Sequence, residues 1–470
     1  MGRFFDAFRP IARFLPEVSK PTGRVGFNEK LFWTGIVLIV YLVMRLIPLW
    51  GVGTAGSEDP FLPIRVVLGG HRGGLLELGI GPIVTGGLIL QLLIGAGMIS
   101  YDSSNPDDRA MLTAASKFLA LVMTAVSAIA FVVGGAYGSL SPLVGALVIV
   151  QLLSAGLLLM LMDEMLQKGW GLGSGISLFI LAGVAQEFFW STFSPMPAGK
   201  QVRGAVFAYF QAILSGQSPF TSFYMRQAGL PTMLGLVTTI IVLVVVIYLE
   251  GVSVKIPIVH ARYRGFSGQY PVKLLYVSNI PVILASALFA DIYLLANVIR
   301  GMPAISSSII GEFIGKFNGS QPVSGLVYYI SPPRTLSEIA LDPLRAVIYL
   351  AILLSICMAF SMVWLSVSGM DAQSVAAQLV DSGVQVPGFR RATQPISALL
   401  SKYIPTVTVL GGFLVGLIAA IGDFLGVFGT GTGILLSVGI IYQYYEIIMR
   451  ERIAELHPGL ERLLGGKRAA

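Results

Sequence analysis

The chain has 470 residues, of which 55% are hydrophobic and 12% charged, with a mean hydropathy of +0.80 and a formal charge of +7. An average soluble domain carries about 25% charged residues, so the composition excludes a water-facing globule and points to one multi-pass membrane protein. One cysteine, Cys357 inside an apolar run, excludes a disulfide framework and a thiolate metal site.

A spanning helix needs about 20 mostly apolar residues, because the hydrocarbon layer is about 30 Å thick and a helix rises about 1.5 Å per residue. Ahead of the first such window, Phe4, Phe5, Phe8, Ile11, Phe14 and Leu15 recur at three- and four-residue spacing with Arg3, Arg9 and Arg13 between them. That pattern predicts an amphipathic helix in the membrane interface, a solvated tail being the alternative. The first apolar run starts at Leu31, too far in for a cleavable signal peptide. Residues 31–50 make span one, with Arg45 near enough to its end to snorkel.

Span two, 78–101, follows an apolar octet, Phe61, Leu62, Pro63, Ile64, Arg65, Val66, Val67 and Leu68, that glycines flank on both sides. Eight residues give about 12 Å of helix, too little to cross. The octet reads as a re-entrant element lining a protein cavity, or as a plain loop. Residues 118–162 are uncharged over 45 positions and are broken by Gly134, Gly135, Gly138 and Pro142, which predicts a hairpin, spans three and four. Windows 171–190, 232–249, 274–299, 344–367, 403–422 and 424–445 bring the total to ten.

The chain thus divides into an N-terminal segment 1–30, a first half 31–190, a connecting segment 191–231, a second half 232–449 and a tail 450–470. Ten spans place both termini on one side, and that side carries 21 Lys and Arg against 9 opposite, so the termini are expected in the cytoplasm. Five spans per half is odd, which predicts two inverted halves, although no residue-level similarity between them stands out. Loop 6/7 carries Lys255, Arg262, Arg264 and Lys273, and loop 8/9 carries Arg390 and Arg391. Such loops suit an RNA backbone or an acidic protein surface, or serve topology alone.

His71, His260 and His457 are scattered, so no histidine cluster offers a metal site or a base. The runs Gly171-Leu-Gly-Ser-Gly and Gly429-Thr-Gly-Thr-Gly lack the Lys-Ser/Thr ending of a phosphate loop and open apolar helices, which favours close helix packing. No catalytic constellation and no cofactor site emerges. Asp291 is the only acid well inside a predicted span, thin support for an ion-coupled secondary transporter.

The residues then match a family. Phe14-Leu-Pro-Glu-Val-Ser-Lys-Pro, Lys30-Leu-Phe-Trp-Thr-Gly, Leu78-Gly-Ile-Gly-Pro-Ile-Val-Thr, Gln167-Lys-Gly-Trp-Gly-Leu-Gly-Ser-Gly-Ile-Ser-Leu-Phe-Ile, Ala261-Arg-Tyr-Arg-Gly, Tyr276-Val-Ser-Asn-Ile-Pro, Gly388-Phe-Arg, Gly431-Thr-Gly-Ile-Leu-Leu and Glu455-Leu-His-Pro occur in order. Together they resemble SecY, the channel-forming subunit family of the Sec translocon, in its archaeal and eukaryotic branch.

The resemblance implies an all-α polytopic membrane protein, with ten transmembrane helices in two pseudo-symmetric inverted five-helix halves and a re-entrant plug helix. It implies a passive channel that moves secretory polypeptides across the membrane and releases membrane-protein helices sideways into lipid. Motif by motif, a pore ring falls on Ile80, Val84, Ile176, Ile180, Ile283 and Leu436, and the plug on residues 61–68. A lateral gate falls on Thr85, Gln91, Asn279 and Asp291, the last standing where relatives commonly carry asparagine. Ribosome contacts fall on Arg262, Arg264, Arg390 and Arg391. Expected partners are a SecE-like and a beta small membrane subunit, the ribosome, signal sequences with their nascent chains, and the bilayer. The expected location is an archaeal plasma membrane rather than endoplasmic reticulum, with no metal or cofactor.

Overall fold

A computed structural model describes residues 15–23, 25–52, 68, 70, 73–99, 101, 105–135, 137–138, 140–198, 201–216, 218–224, 226, 230–260, 267–275, 277, 280–300, 308–318, 321–333, 335–381, 384–385 and 393–456. The predicted interfacial helix 4–14, plug residues 61–67, His71, Asn279, Arg262, Arg264, Arg390, Arg391 and His457 lie outside the described residues.

Among the described residues the architecture is mostly helical, with a few short strands in the loops. The first helices are α1 (Phe27–Leu46), α2 (Gly81–Gly95), α3 (Pro106–Val133) and α4 (Pro142–Met165). A π-turn at Leu166–Trp170 leads to α5 (Gly175–Phe193). A connecting segment carries β1 (Pro197–Ala198), β2 (Gln201–Val202), α6 (Ala205–Leu214) and α7 (Pro219–Tyr224). Then come α8 (Met233–Gly251), the hairpin β3 (Ser253–His260) and β4 (Ser267–Lys273), and α9 (Ile280–Arg300). A second loop region contains α10 (Ile309–Ile314), β5 (Lys316–Asn318), β6 (Gln321–Ser324), α11 (Leu326–Ile330) and α12 (Leu336–Leu341). The chain continues with α13 (Pro343–Val367), α14 (Ala372–Asp381), β7 (Val384–Gln385), α15 (Thr393–Phe424) and α16 (Gly431–Leu456).

Among the described residues nine helices are long and apolar enough to cross a membrane. The tenth expected span is α2, which is 15 residues long rather than the 24 of the charge-free window. Both of its ends are cut by glycine. Gly79 (φ +56°) turns the chain before it and Gly97 (φ +71°) turns it away after, conformations that cost a side chain strain. Elsewhere the charge-free windows cut helices short: α3 begins at Pro106 because Asn105 caps it, its Oδ1 accepting from the Asp107 N–H at 3.0 Å. Span seven begins later than expected, at Ile280, because the chain leaves strand 267–273 through turns at 274–275 and 277.

Arg45 does not snorkel. It is buried, and a helical Cα–Cβ bond tilts toward the helix N-terminus, which carries the guanidinium back toward Tyr41 rather than out to water; its Nε and Nη1 have no hydrogen-bond partner. Tyr41 in turn stacks on Phe179 of α5, ring centroids 4.6 Å apart.

The two glycine runs are packing motifs. Ahead of α5, a Cβ on Gly173 would meet Tyr444 and Ile447 at 3.2 Å; ahead of α16, one on Gly429 would meet Val184 at 3.0 Å. The start of α5 therefore lies against the second half of α16, and the start of α16 against the middle of α5, so the two helices pack antiparallel. Each is capped by an acid from the preceding long helix. Asp163 Oδ1 accepts from the Ile176 N–H at 3.0 Å, and Asp423 Oδ1 accepts from the Gly431 N–H at 2.8 Å. That recurrence, an Asp ahead of Gly-x-Gly-Ser/Thr-Gly-Ile, is a residue-level likeness between the two parts of the chain, and the shared capping role gives it structural meaning.

Candidate functional site

Three side chains of the expected ring, Ile80, Ile180 and Leu436, are fully buried, and Val84, Ile176 and Ile283 are half-buried against the same apolar cluster. They reach it from α2, α5, α9 and α16. Ile80 is the N-cap of α2, and its carbonyl accepts from the Val84 N–H at 3.0 Å, so the two sit one turn apart.

Leu68, the last residue of the octet, sits on this cluster. Its carbonyl accepts from the Ile80 N–H at 2.8 Å. A Cβ on Gly79 would lie 2.1 Å from that oxygen, so only glycine admits the contact, and Leu68 itself is buried. Gly70 is likewise held against the Glu77 carbonyl, where a Cβ would come within 2.7 Å, and Glu77 is pinned by accepting from the Gly73 N–H at 2.7 Å.

Beside the cluster runs a seam where α2 faces α9 and α13. Thr85 Oγ1 donates to Asp291 Oδ2 at 3.0 Å across it, joining two of the expected gate residues. Gln91 lies farther along α2, half-buried, its Oε1 buried without a partner. Two features here have no sequence signal of their own. A Cβ on Gly95 would meet Val363 Cγ1 of α13 at 2.9 Å, so glycine lets the helices close there. A cavity of about 60 Å³ opens where Leu68, Glu77, Pro82, Ser127, Phe131 and Asp291 converge, joining the plug end, α3 and α9.

At the basic loops, β3 pairs with β4 from Ser253↔Lys273 to Val259↔Ser267, and β7 adds to β3 through Val259↔Gln385 and His260↔Val384. The strands flanking the two tips therefore belong to one three-stranded sheet, with order β4-β3-β7.

A family model described as SecY matches residues 74–445. The chain belongs to the SecY family. A second model, the plug domain of Sec61p, matches residues 39–73, which contain the apolar octet. Among solved structures, one described as a protein-conducting channel is similar with a TM-score of 0.82 at 39% identity, covering 96% of this chain and 98% of that one. A SecY structure described by a plug domain that stabilises the closed state matches at 0.80, with 39% identity over 96% and 98%. Sec61 from the canine ribosome–channel complex of the endoplasmic reticulum matches at 0.79, again with 39% identity over 96% and 98%. The chain is accordingly a multi-pass membrane protein of the SecY/Sec61 protein-conducting channel type with a plug domain, and nothing favours the ion-coupled transporter. The family is one of channels rather than of known enzymes.

Proposed function

We propose that this chain forms a closed neck at Ile80, Val84, Ile176, Ile180, Ile283 and Leu436, plugs it with residues 61–68, and opens it sideways along the α2/α9/α13 seam. The observation that carries this reading is the seating of Leu68 on Ile80 within the one apolar cluster that gathers all six side chains. Branched apolar side chains at a constriction exclude water and ions by dewetting. They offer a passing polypeptide no hydrogen bond, so the neck seals without gripping its cargo.

The seam is the polar counterpart. In a low-dielectric site the Thr85–Asp291 bond favours the closed arrangement, and a signal helix entering between α2 and α9 has to part it. Residues 31–190 and 232–449 act as two halves, with 191–231 joining them. Arg262, Arg264, Arg390 and Arg391 make one ribosome-docking surface, a reading supported by the shared sheet from which both tips spring. The surplus of Lys and Arg on one side supports cytoplasmic termini, and the likeness of the motifs to the archaeal branch supports a plasma-membrane location. Small SecE-like and beta subunits complete the complex.

The test places a photoreactive residue at Ile283 and stalls a secretory nascent chain in the complex. A crosslink from 283 to the translocating segment is expected. No crosslink, together with uptake of a small solute, overturns the reading.

A further inference from the structure

We propose that the segment joining α5 to α8 is an interfacial membrane anchor, the α6–α7 hairpin lying flat in the lipid headgroup region with Phe207, Phe210 and Leu214 dipped among the acyl chains. The proposal requires only a multi-pass membrane protein, so it stands or falls apart from the neck and seam.

Residues 204–225 hold no Asp, Glu, Lys, Arg or His across 22 positions and include six aromatic residues. A loop in water has no reason for that composition. In the structure α6 buries Ala205 and Ala208 and turns the opposite stripe outward, with Phe210 59% and Leu214 87% exposed at the i, i+3, i+7 spacing that begins at Phe207. Phe220 of α7 is 75% exposed. Ten residues make about 15 Å of helix, too short to cross and suited to lying in the plane of the interface.

The height of the hairpin is fixed. The Gly204 N–H donates to the Ser194 carbonyl at 2.9 Å, so α6 starts beside the final turn of α5, where a span leaves the hydrocarbon. At the other end Arg226 folds inward, its guanidinium donating to the carbonyls of Val202 at 2.5 Å, Arg203 at 3.1 Å and Pro231. The positive charge at the base of the hairpin is thus spent on its own backbone, and burial pulls its pKa down. Gln211 also faces the base, its Oε1 accepting from the Val202 N–H at 3.2 Å. Tyr209 packs edge-on against Phe210 and Phe223, locking α6 to α7.

Lipid is the occupant the surroundings favour, because outward-facing apolar side chains continue onto the neighbouring spans. They include Phe189, Trp190 and Phe193 of α5 and Ile240 and Ile241 of α8, the two spans that α6 touches. An aromatic-rich band at the end of a span is the composition that interfaces select.

The test uses the full chain assembled with its small subunits in lipid nanodiscs. Cys357→Ala removes the native thiol, and Phe210→Cys or Leu214→Cys carries a nitroxide. Ile241→Cys serves as the lipid reference and Lys316→Cys as the exposed one. Oxygen is expected to relax the labels at 210 and 214 more than a water-soluble nickel chelate does, as at 241. A dominant nickel effect, as at 316, overturns the proposal, and so does exclusion of both reagents, which means a protein covers the face. On the unsubstituted chain, a photoactivatable phospholipid is expected to tag peptides from 204–226. Tagging of α8 alone overturns the proposal.

Discussion

Thr85 and Asp291 meet as one hydroxyl and one carboxylate, 206 positions apart in sequence. A hydrogen bond to a charged group contributes about 1.5–3 kcal/mol, and 1.4 kcal/mol is about a factor of ten in an equilibrium. Thr85→Val is therefore expected to raise the population of open seams roughly ten-fold or more, read as improved export of substrates with weakened signal sequences. Asp291→Asn retains an acceptor but no charge, so it is expected to shift the same gating threshold while leaving membrane topology unchanged; unaltered signal-sequence dependence would remove Asp291 from the gate. Arg45 argues in the other direction. Its buried Nε and Nη1 lack partners, and an orphaned buried donor costs about 1–3 kcal/mol. Polar residues on one face of a predicted span were visible in the sequence, but which of them touch depends on α2 and α9 lying side by side.

At the scale of elements, α2 and α3 behave as one unit. A Cβ on Gly86 would come within 2.6 Å of the Ala120 backbone nitrogen, so the two helices meet backbone to backbone. Against α13 the contact is looser and rests on Gly95 facing Val363. Gly95→Leu places a wedge in that contact and is expected to hold the seam ajar, measured as faster disulfide-independent crosslinking of a signal peptide to Val363 positions and loss of signal selectivity. The acid caps hold the other packing unit. Asp423 accepts from the Tyr349 hydroxyl at 3.0 Å as well as from the Gly431 N–H. Asp423→Ala strands both donors and is expected to cost about 3 kcal/mol, seen as a lower midpoint of thermal inactivation. Long charge-free windows made nine of the helices legible. The extent of α2 was not, since its ends are set by positive-φ glycines and a docked plug residue rather than by composition.

Across the whole molecule, the apolar neck and the packing of α5 on α16 share one centre. Ile176 and Ile180 lie on α5 and Leu436 on α16, so the antiparallel contact that Gly173 and Gly429 permit also brings the ring side chains together. Replacing Ile180 and Leu436 together by glycine is expected to raise ion leak through the idle channel in planar-bilayer recordings, with translocation retained. The amino-acid sequence by itself determined the membrane class, the span count, the side bias of Lys and Arg, and the family, because hydrophobic run length and charge placement answer to the bilayer, which is the same for every chain. Tertiary structure alone decided that Leu68 rests on Ile80, that Thr85 reaches Asp291, that Arg45 is buried, and that the two basic loops share a sheet. Those are matters of which surfaces meet in space, and they follow only once close-packed helices fix which faces touch.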